Sequence, residues 1–136
     1  MQTFLPYPDF AKSAACLDPK RLGKQRVEAF QIHNTLTGKS NGWVNHPATK
    51  MWRGYEVALA AYFNVMRAEW IRRNYNNTMA EMHIPAIPYV VEMPPWFGDK
   101  DFHSSHRSNL LRKDPIWYSQ FNWYEPPNIP YVWPVK

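Results

Sequence analysis

The residues best suited to chemistry lie in one run near the amino terminus, Asp18-Pro19-Lys20-Arg21-Leu22-Gly23-Lys24-Gln25-Arg26-Val27-Glu28. Four cations precede a single carboxylate. At roughly 100° per residue on a helix, Arg21, Lys24 and Glu28 share one face. A carboxylate inside a basic face suits acid–base work on a polyanion, since the cations hold phosphates and the acid moves protons. An ordinary reading stands beside it. Lys24 and Glu28, one turn apart, can form a solvated ion pair contributing a few tenths of a kcal/mol, ~0.3. The residue pattern leaves both open.

Other residues carry similar pairs of readings. Lys20, Arg21, Lys24 and Arg26 are either solvated surface or phosphate contacts, and Arg107, Arg112 and Lys113 form a second basic set. His103-Ser104-Ser105-His106-Arg107 sets two histidines three apart. No third ligand of matching spacing and no Glu-x-x-His accompanies them, so polar contact with phosphate or sugar fits better than a metal. His46, before Pro47, reads as a capping or core histidine or as a ligand-facing group at a helix start. Trp117-Tyr118, beside Arg112 and Lys113, reads as core packing or as a platform for base stacking.

The elements that must position these groups are mostly helical. Asp9 can cap a short helix through Ala15. Asp18 is a good N-cap with Pro19 at the first helical position, and the helix runs to about Leu36, where Gly38 can end it. Leu22, Ala29, Ile32 and Leu36 form its buried stripe. Thr37 to Val44 is a loop. Pro47 then opens the longest helix, through about Arg73, with Met51, Tyr55, Leu59, Tyr62, Val65/Met66 and Trp70 on its buried side. Thr78 to His83 is predicted to add a turn or two of helix. The four prolines of residues 84–95 exclude a regular helix there. Asp99 or Asp101 can cap a basic helix over Phe102 to Lys113, and Asp114-Pro115 restarts a short aromatic one. The tail from Pro126 is extended, with Tyr131, Val132 and Trp133 packed back on the body. Val90-Val91 is the sole strand candidate.

Composition narrows the partners. The chain has 136 residues, enough for one domain with a real core. Hydrophobic residues make up 45% and aromatics 16%, which indicates a globular protein with rings to spare for its surface. The net charge of +5 points toward nucleic acid. The lone Cys16 cannot form an internal disulfide, and no signal peptide or apolar run long enough for a bilayer is evident. A cytoplasmic protein with no membrane partner is the expectation.

Three segments, in order, resemble the pyrimidine-dimer DNA glycosylase family, whose phage-type enzyme is also called endonuclease V. Leu17 to Glu28 resembles the segment ending in the family's catalytic glutamate, which maps onto Glu28. His46 through Arg73 resembles its central helix and the histidine before it. Arg107 to Tyr118 resembles its basic C-terminal helix and Pro-x-Trp-Tyr, here Pro115-Ile116-Trp117-Tyr118. The His103–Lys113 segment and the Pro130–Pro134 tail are similar to relatives grouped with that family as a divergent branch.

The resemblance implies an all-α single compact domain over residues 1–136, bacterial or phage-encoded and monomeric. It has about three main helices, a short aromatic helix and a Pro-rich tail. It implies action on double-stranded DNA without cofactor or metal, by kinking the duplex and flipping a base. In the family the terminal α-amine attacks the sugar carbon of a damaged nucleotide, an imine forms with help from the glutamate, and β-elimination nicks the strand. An α-amine suits this role, because roughly a tenth of such groups are unprotonated at pH 7, against under about a thousandth of lysines. The family exposes a small threonine after removing its first methionine. Here a bulky Gln2 follows Met1 and normally prevents removal, so the amine expected is that of Met1 itself, the alternative being a Thr3 exposed by some other processing. Arg21 stands where the family has a histidine.

The resemblance thus makes Met1 and Glu28 catalytic. It places Thr3, Arg21, Lys24, Arg26, His46, His103, His106, Arg107, Arg112, Lys113, Trp117 and Tyr118 against DNA. Two alternatives stand: a non-catalytic nucleic-acid-binding module on the same scaffold, and an interaction domain whose surplus tryptophans form a protein interface.

Overall fold

Aspartates start four of the helices. In the computed structural model, which describes residues 1–85 and 90–135, Asp9 accepts the Lys12 N–H at 2.8 Å and opens α1, Phe10–Cys16. Asp18 caps α2, Pro19–Leu36, which ends at Thr37, just before Gly38. Asp99 accepts the Asp101 and Phe102 N–H groups at the head of α5, Lys100–Lys113. Asp114 accepts the Trp117 N–H at 3.0 Å and starts α6, Pro115–Tyr118, which runs into a 3₁₀ turn, Ser119–Phe121. Each carboxylate satisfies backbone donors that a helix start leaves without partners.

The long helix expected from Pro47 is broken. It divides into α3, Pro47–Lys50, and α4, Glu56–Arg72. Between them Trp52 and Arg53 donate to carbonyls three residues back, and Gly54 takes a left-handed φ of +87°, which ends the turn at little steric cost. The break sends Trp52 inward, where it is completely buried. Trp96 Nε1 takes up the Met51 carbonyl at 2.9 Å.

The turn of helix expected over Thr78 to His83 is absent. Asn64 accepts the Met82 N–H at 2.8 Å and donates to the Met82 carbonyl at 2.9 Å, and Arg67 donates to the Met79 carbonyl. These side chains hold the segment as an extended strap along α4. Val90-Val91 forms no strand, and no strand occurs among the described residues. Of the proline-rich stretch, residues 86–89 lie outside the described ones.

α4 packs chiefly on α2 and then on α1. The approach to α2 is close at Gly23, where an added Cβ would meet the Trp70 ring at 3.0 Å. One hydrophobic cluster joins Leu5 of the amino-terminal segment, Leu22 and Ile32 of α2, Leu59, Tyr62, Phe63 and Met66 of α4, and Phe102 and Leu110 of α5. The tail closes over it, with Tyr131, Val132 and Trp133 against the cluster. Ser105 and Ser108 of α5 accept the Val132 and Ile129 N–H groups and fix its course. The molecule is an all-α single compact domain, and its most buried non-helical segment is the one that begins it.

Candidate functional site

Residues 2–6 are buried and extended, and no strand pairs with them. Buried backbone groups need partners, and here helix side chains supply them. Glu28 Oε2 accepts the Gln2 N–H at 3.2 Å, and Gln25 Oε1 accepts the Phe4 N–H at 2.8 Å. The Tyr62 hydroxyl lies 2.9 Å from the Phe4 carbonyl. His106 Nδ1 accepts the Leu5 N–H at 2.8 Å, while His103 Nδ1 lies 2.7 Å from the Leu5 carbonyl. Arg107 donates to the Pro6 carbonyl at 2.6 Å. Side chains of α2, α4 and α5 thus replace the neighbouring strand of a sheet.

The two histidines do this only as neutral rings in opposite tautomers. Burial lowers the pKa of both, with His106 pushed down to about 3. His106 must present a bare Nδ1 to the Leu5 N–H. His103 must carry its proton on Nδ1 to donate to the carbonyl, and its Nε2 accepts the Gly98 N–H.

This cradle delivers the first residue to a pocket of about 360 Å³ lined by Met1, Gln2, Phe4, Lys20, Arg21, Lys24, Gln25, Glu28, Lys113 and Tyr131. The helical face anticipated from Arg21, Lys24 and Glu28 is one of its walls. Among the described residues no ion pair within 4.0 Å joins Glu28 to any cation. The solvated Lys24–Glu28 pair is therefore not formed. Glu28 instead meets the Gln2 N–H and, at 3.5 Å, Gln25 Nε2. The Met1 nitrogen is one residue upstream of that N–H, so backbone geometry keeps it within about 7 Å of Glu28 Oε2.

Charge in the pocket is mostly positive. Burial lowers the Lys113 pKa, and the Arg21, Arg112 and Lys24 charges lower it further. Arg112 is exposed beside this wall. His46 caps α3, its Nδ1 accepting the Ala48 N–H at 3.0 Å, and its ring lies between Trp43 and Trp133. Burial lowers its pKa, the charge of the terminal amine adds to that, and Glu28 opposes it. Its capping role is observed, within electrostatic reach of both groups.

Several residues expected against DNA face inward instead. Thr3 is completely buried, and its Oγ1 accepts the Trp52 Nε1–H at 3.0 Å. His103 and His106 grip Leu5 in the core. Arg107 is committed to Pro6 and to Glu125, 2.7 Å away. Arg26 stacks over the Trp70 ring at 4.1 Å and donates to Asn77. Tyr118 is buried, with its hydroxyl 2.5 Å from Asp18 Oδ1 and accepting the Asp18 N–H. Trp117 donates to the Cys16 carbonyl. The last two lock the start of α2 to α6. In each case a partner inside the molecule engages the group; Thr3, His103, His106 and Tyr118 are buried, and Arg26, Arg107 and Trp117 are half-buried.

Sequence reasoning missed Gln2, Phe4, Gln25, Tyr131 and the place of Lys20 in the pocket. One signal for Gln25 existed, since a polar residue sits on the stripe of Leu22, Ala29 and Ile32. Nothing local marks Tyr131, which arrives from the far end of the chain.

A family model described as pyrimidine dimer DNA glycosylase matches residues 1–82, the stretch holding Met1, Glu28, His46 and helices α1 to α4. The chain belongs to that family. The Arg107–Tyr118 segment and the tail lie outside the match. No curated protein and no solved structure is detectably similar to the chain. Among the described residues no helix is long and apolar enough to cross a membrane, and no group of three or more His, Cys, Asp or Glu side chains is arranged to hold a metal ion.

Proposed function

We propose that the protein is a DNA glycosylase with AP-lyase activity on damaged or modified pyrimidines in duplex DNA, with the α-amine of Met1 as nucleophile and Glu28 as acid and base. The observation that supports this most is the shared pocket. The terminal residue and an acid without an ion-pair partner among the described residues line it together, and Lys20, Arg21, Lys24 and Lys113 surround them. Family membership adds the class of reaction.

The chemistry follows from these positions. The lone pair of the neutral Met1 amine bonds to C1′ of the target sugar. The C1′–N1 bond breaks and its electron pair leaves with the base. Glu28 takes the proton shed by the attacking nitrogen and returns a proton to O4′ as the ring opens, which leaves a C1′=N imine. The imine acidifies C2′. Glu28 as a base removes a proton there, and the 3′ phosphate departs by β-elimination. Lys20, Arg21, Lys24 and Lys113, with Arg112 beside them, hold phosphates and exclude none by sequence. His46 steadies the loop beside the amine.

The test is a pair of duplexes, one with a single cyclobutane pyrimidine dimer and one with a single abasic site. Cleavage of the glycosidic bond in the first, whose freed base stays joined to its neighbour through the cyclobutane ring, and nicking of both support the proposal. Salt-sensitive binding to both without any cleavage contradicts it and leaves a binding module on the same scaffold.

A further inference from the structure

One polar group of the pocket has no role in the steps above. Gln2 is 5% exposed and lines the pocket, and its side-chain Nε2 has no hydrogen-bond partner among the described residues. Its orientation is set by its neighbour. The Thr3 N–H donates to Oε1 at 2.9 Å, and only the oxygen of an amide can accept, so the nitrogen is the opposite end. The backbone N–H of the same residue is held by Glu28. Gln2 therefore carries a buried donor, unused among the described residues, in the wall of the pocket that Met1 and Glu28 also line.

Two aromatic rings share its pocket. Phe4 and Tyr131 line the same pocket with ring centres 6.3 Å apart. The Tyr131 hydroxyl makes no hydrogen bond among the described residues, and burial pushes its pKa up to about 12, so it stays protonated. Flat apolar walls with one or two oriented donors suit a planar heterocycle.

We infer that Gln2 holds the departing base, its Nε2–H donating to the carbonyl oxygen beside the glycosidic nitrogen, O2 of a pyrimidine. The inference rests on the glycosylase reading and assigns that site its leaving-group contact. When the C1′–N1 bond breaks, the electron pair it leaves on the base is shared between N1 and O2. A donor already aimed at O2 stabilises that charge more than it stabilises the neutral base, which is how a preset dipole lowers a barrier. A second proton, drawn from solvent, then neutralises the base. Gln2 takes part only while a base is attached and has no part in β-elimination.

The test compares two rates in the same protein: cleavage of the glycosidic bond in lesion-bearing duplex, and nicking of abasic duplex, which has no base to hold. Gln2→Met removes the donor at similar bulk. Gln2→Glu keeps an acceptor for the Thr3 N–H and replaces the donor. Both second residues are bulky, and intact mass verifies that Met1 is retained. The ratio of glycosidic cleavage to abasic nicking is expected to fall about 10²-fold in each variant, the usual effect of losing one such donor. In the unaltered protein, a 2-thio target pyrimidine, a better leaving group but a poorer acceptor, is expected to be released more slowly than the 2-oxo parent. A ratio that stays put in both variants, or faster release of the 2-thio base, overturns the inference. Unaltered protein that fails to nick abasic DNA overturns the glycosylase reading instead.

Discussion

Helices α2 and α5 carry similar chemistry and use it oppositely. Each presents cations and proton-transfer groups at helical spacing. On α2, Lys20, Arg21, Lys24 and Glu28 line an open pocket, and Glu28 has no ion-pair partner among the described residues. On α5, His103, His106 and Arg107 are turned onto the amino-terminal segment and hold its backbone groups one by one. The first face is equipped to meet a substrate. The second places the first residue of the chain where that face can use it. A polar helical stripe is thus not evidence of a binding surface until the partner of each group is known.

The largest contrast is expected from the two ends of this arrangement. Glu28→Gln should cut nicking of abasic DNA about 10³-fold, measured under single-turnover conditions, while changing stability by less than about 1 kcal/mol. His106→Ala should do the reverse at the level of folding. It leaves the Leu5 N–H without an acceptor and opens a cavity, costing about 3 kcal/mol in urea titration. A Glu28 variant as unstable as the His106 variant would erase the distinction between the two helices.

Arg107→Ala and Lys24→Ala sharpen it further. Burial acts to raise the Glu125 pKa, but hydrogen bonds from Arg107 and Ser104 outweigh it and hold the carboxyl below its usual range. Removing Arg107 strands a buried carboxylate and should cost about 3 kcal/mol, with the salt dependence of DNA binding unmoved. Lys24→Ala should leave stability within about 0.5 kcal/mol and reduce the slope of log K against log salt by about 0.9. Equal slopes for both variants would contradict the assignment of the faces.

Acid should reveal the α5 side more gently. His106 has a folded pKa of about 3, below the value near 6.5 of an unfolded histidine. Unfolding therefore takes up a proton between those limits. The stability this residue contributes is complete above pH 6.5 and is lost as pH falls toward 3. The slope is at most about 1.4 kcal/mol per pH unit. His33, His46 and His103 are shifted the same way. Denaturation followed from pH 7 to pH 4 should show this loss, and His106→Gln should flatten it.

Much of the frame was legible because it rests on short-range rules. Asp9, Asp18, Asp99 and Asp114 all cap helices, and Pro19 and Pro115 sit at helix starts. The face joining Arg21, Lys24 and Glu28 follows from helical period alone. The rest depended on distant partners. The break at Gly54 goes with a Trp52 that must reach Thr3, and the strap over residues 78–83 depends on Asn64. The histidines of α5 look solvent-facing until a buried, extended segment is known to run beneath them. Tyr118 suggests a stacking platform until Asp18 is found against its hydroxyl.

The position of the terminal amine beside Glu28 is the claim on which the functional account depends. Borohydride reduction of the protein with abasic duplex DNA, followed by intact-mass measurement and peptide mapping, tests it most directly. The account requires a covalent adduct of one protein with one DNA strand, attached at the α-nitrogen of Met1 and abolished by acetylating that nitrogen. An adduct on an internal lysine such as Lys24 or Lys113, or no adduct with DNA that the protein demonstrably binds, would contradict it.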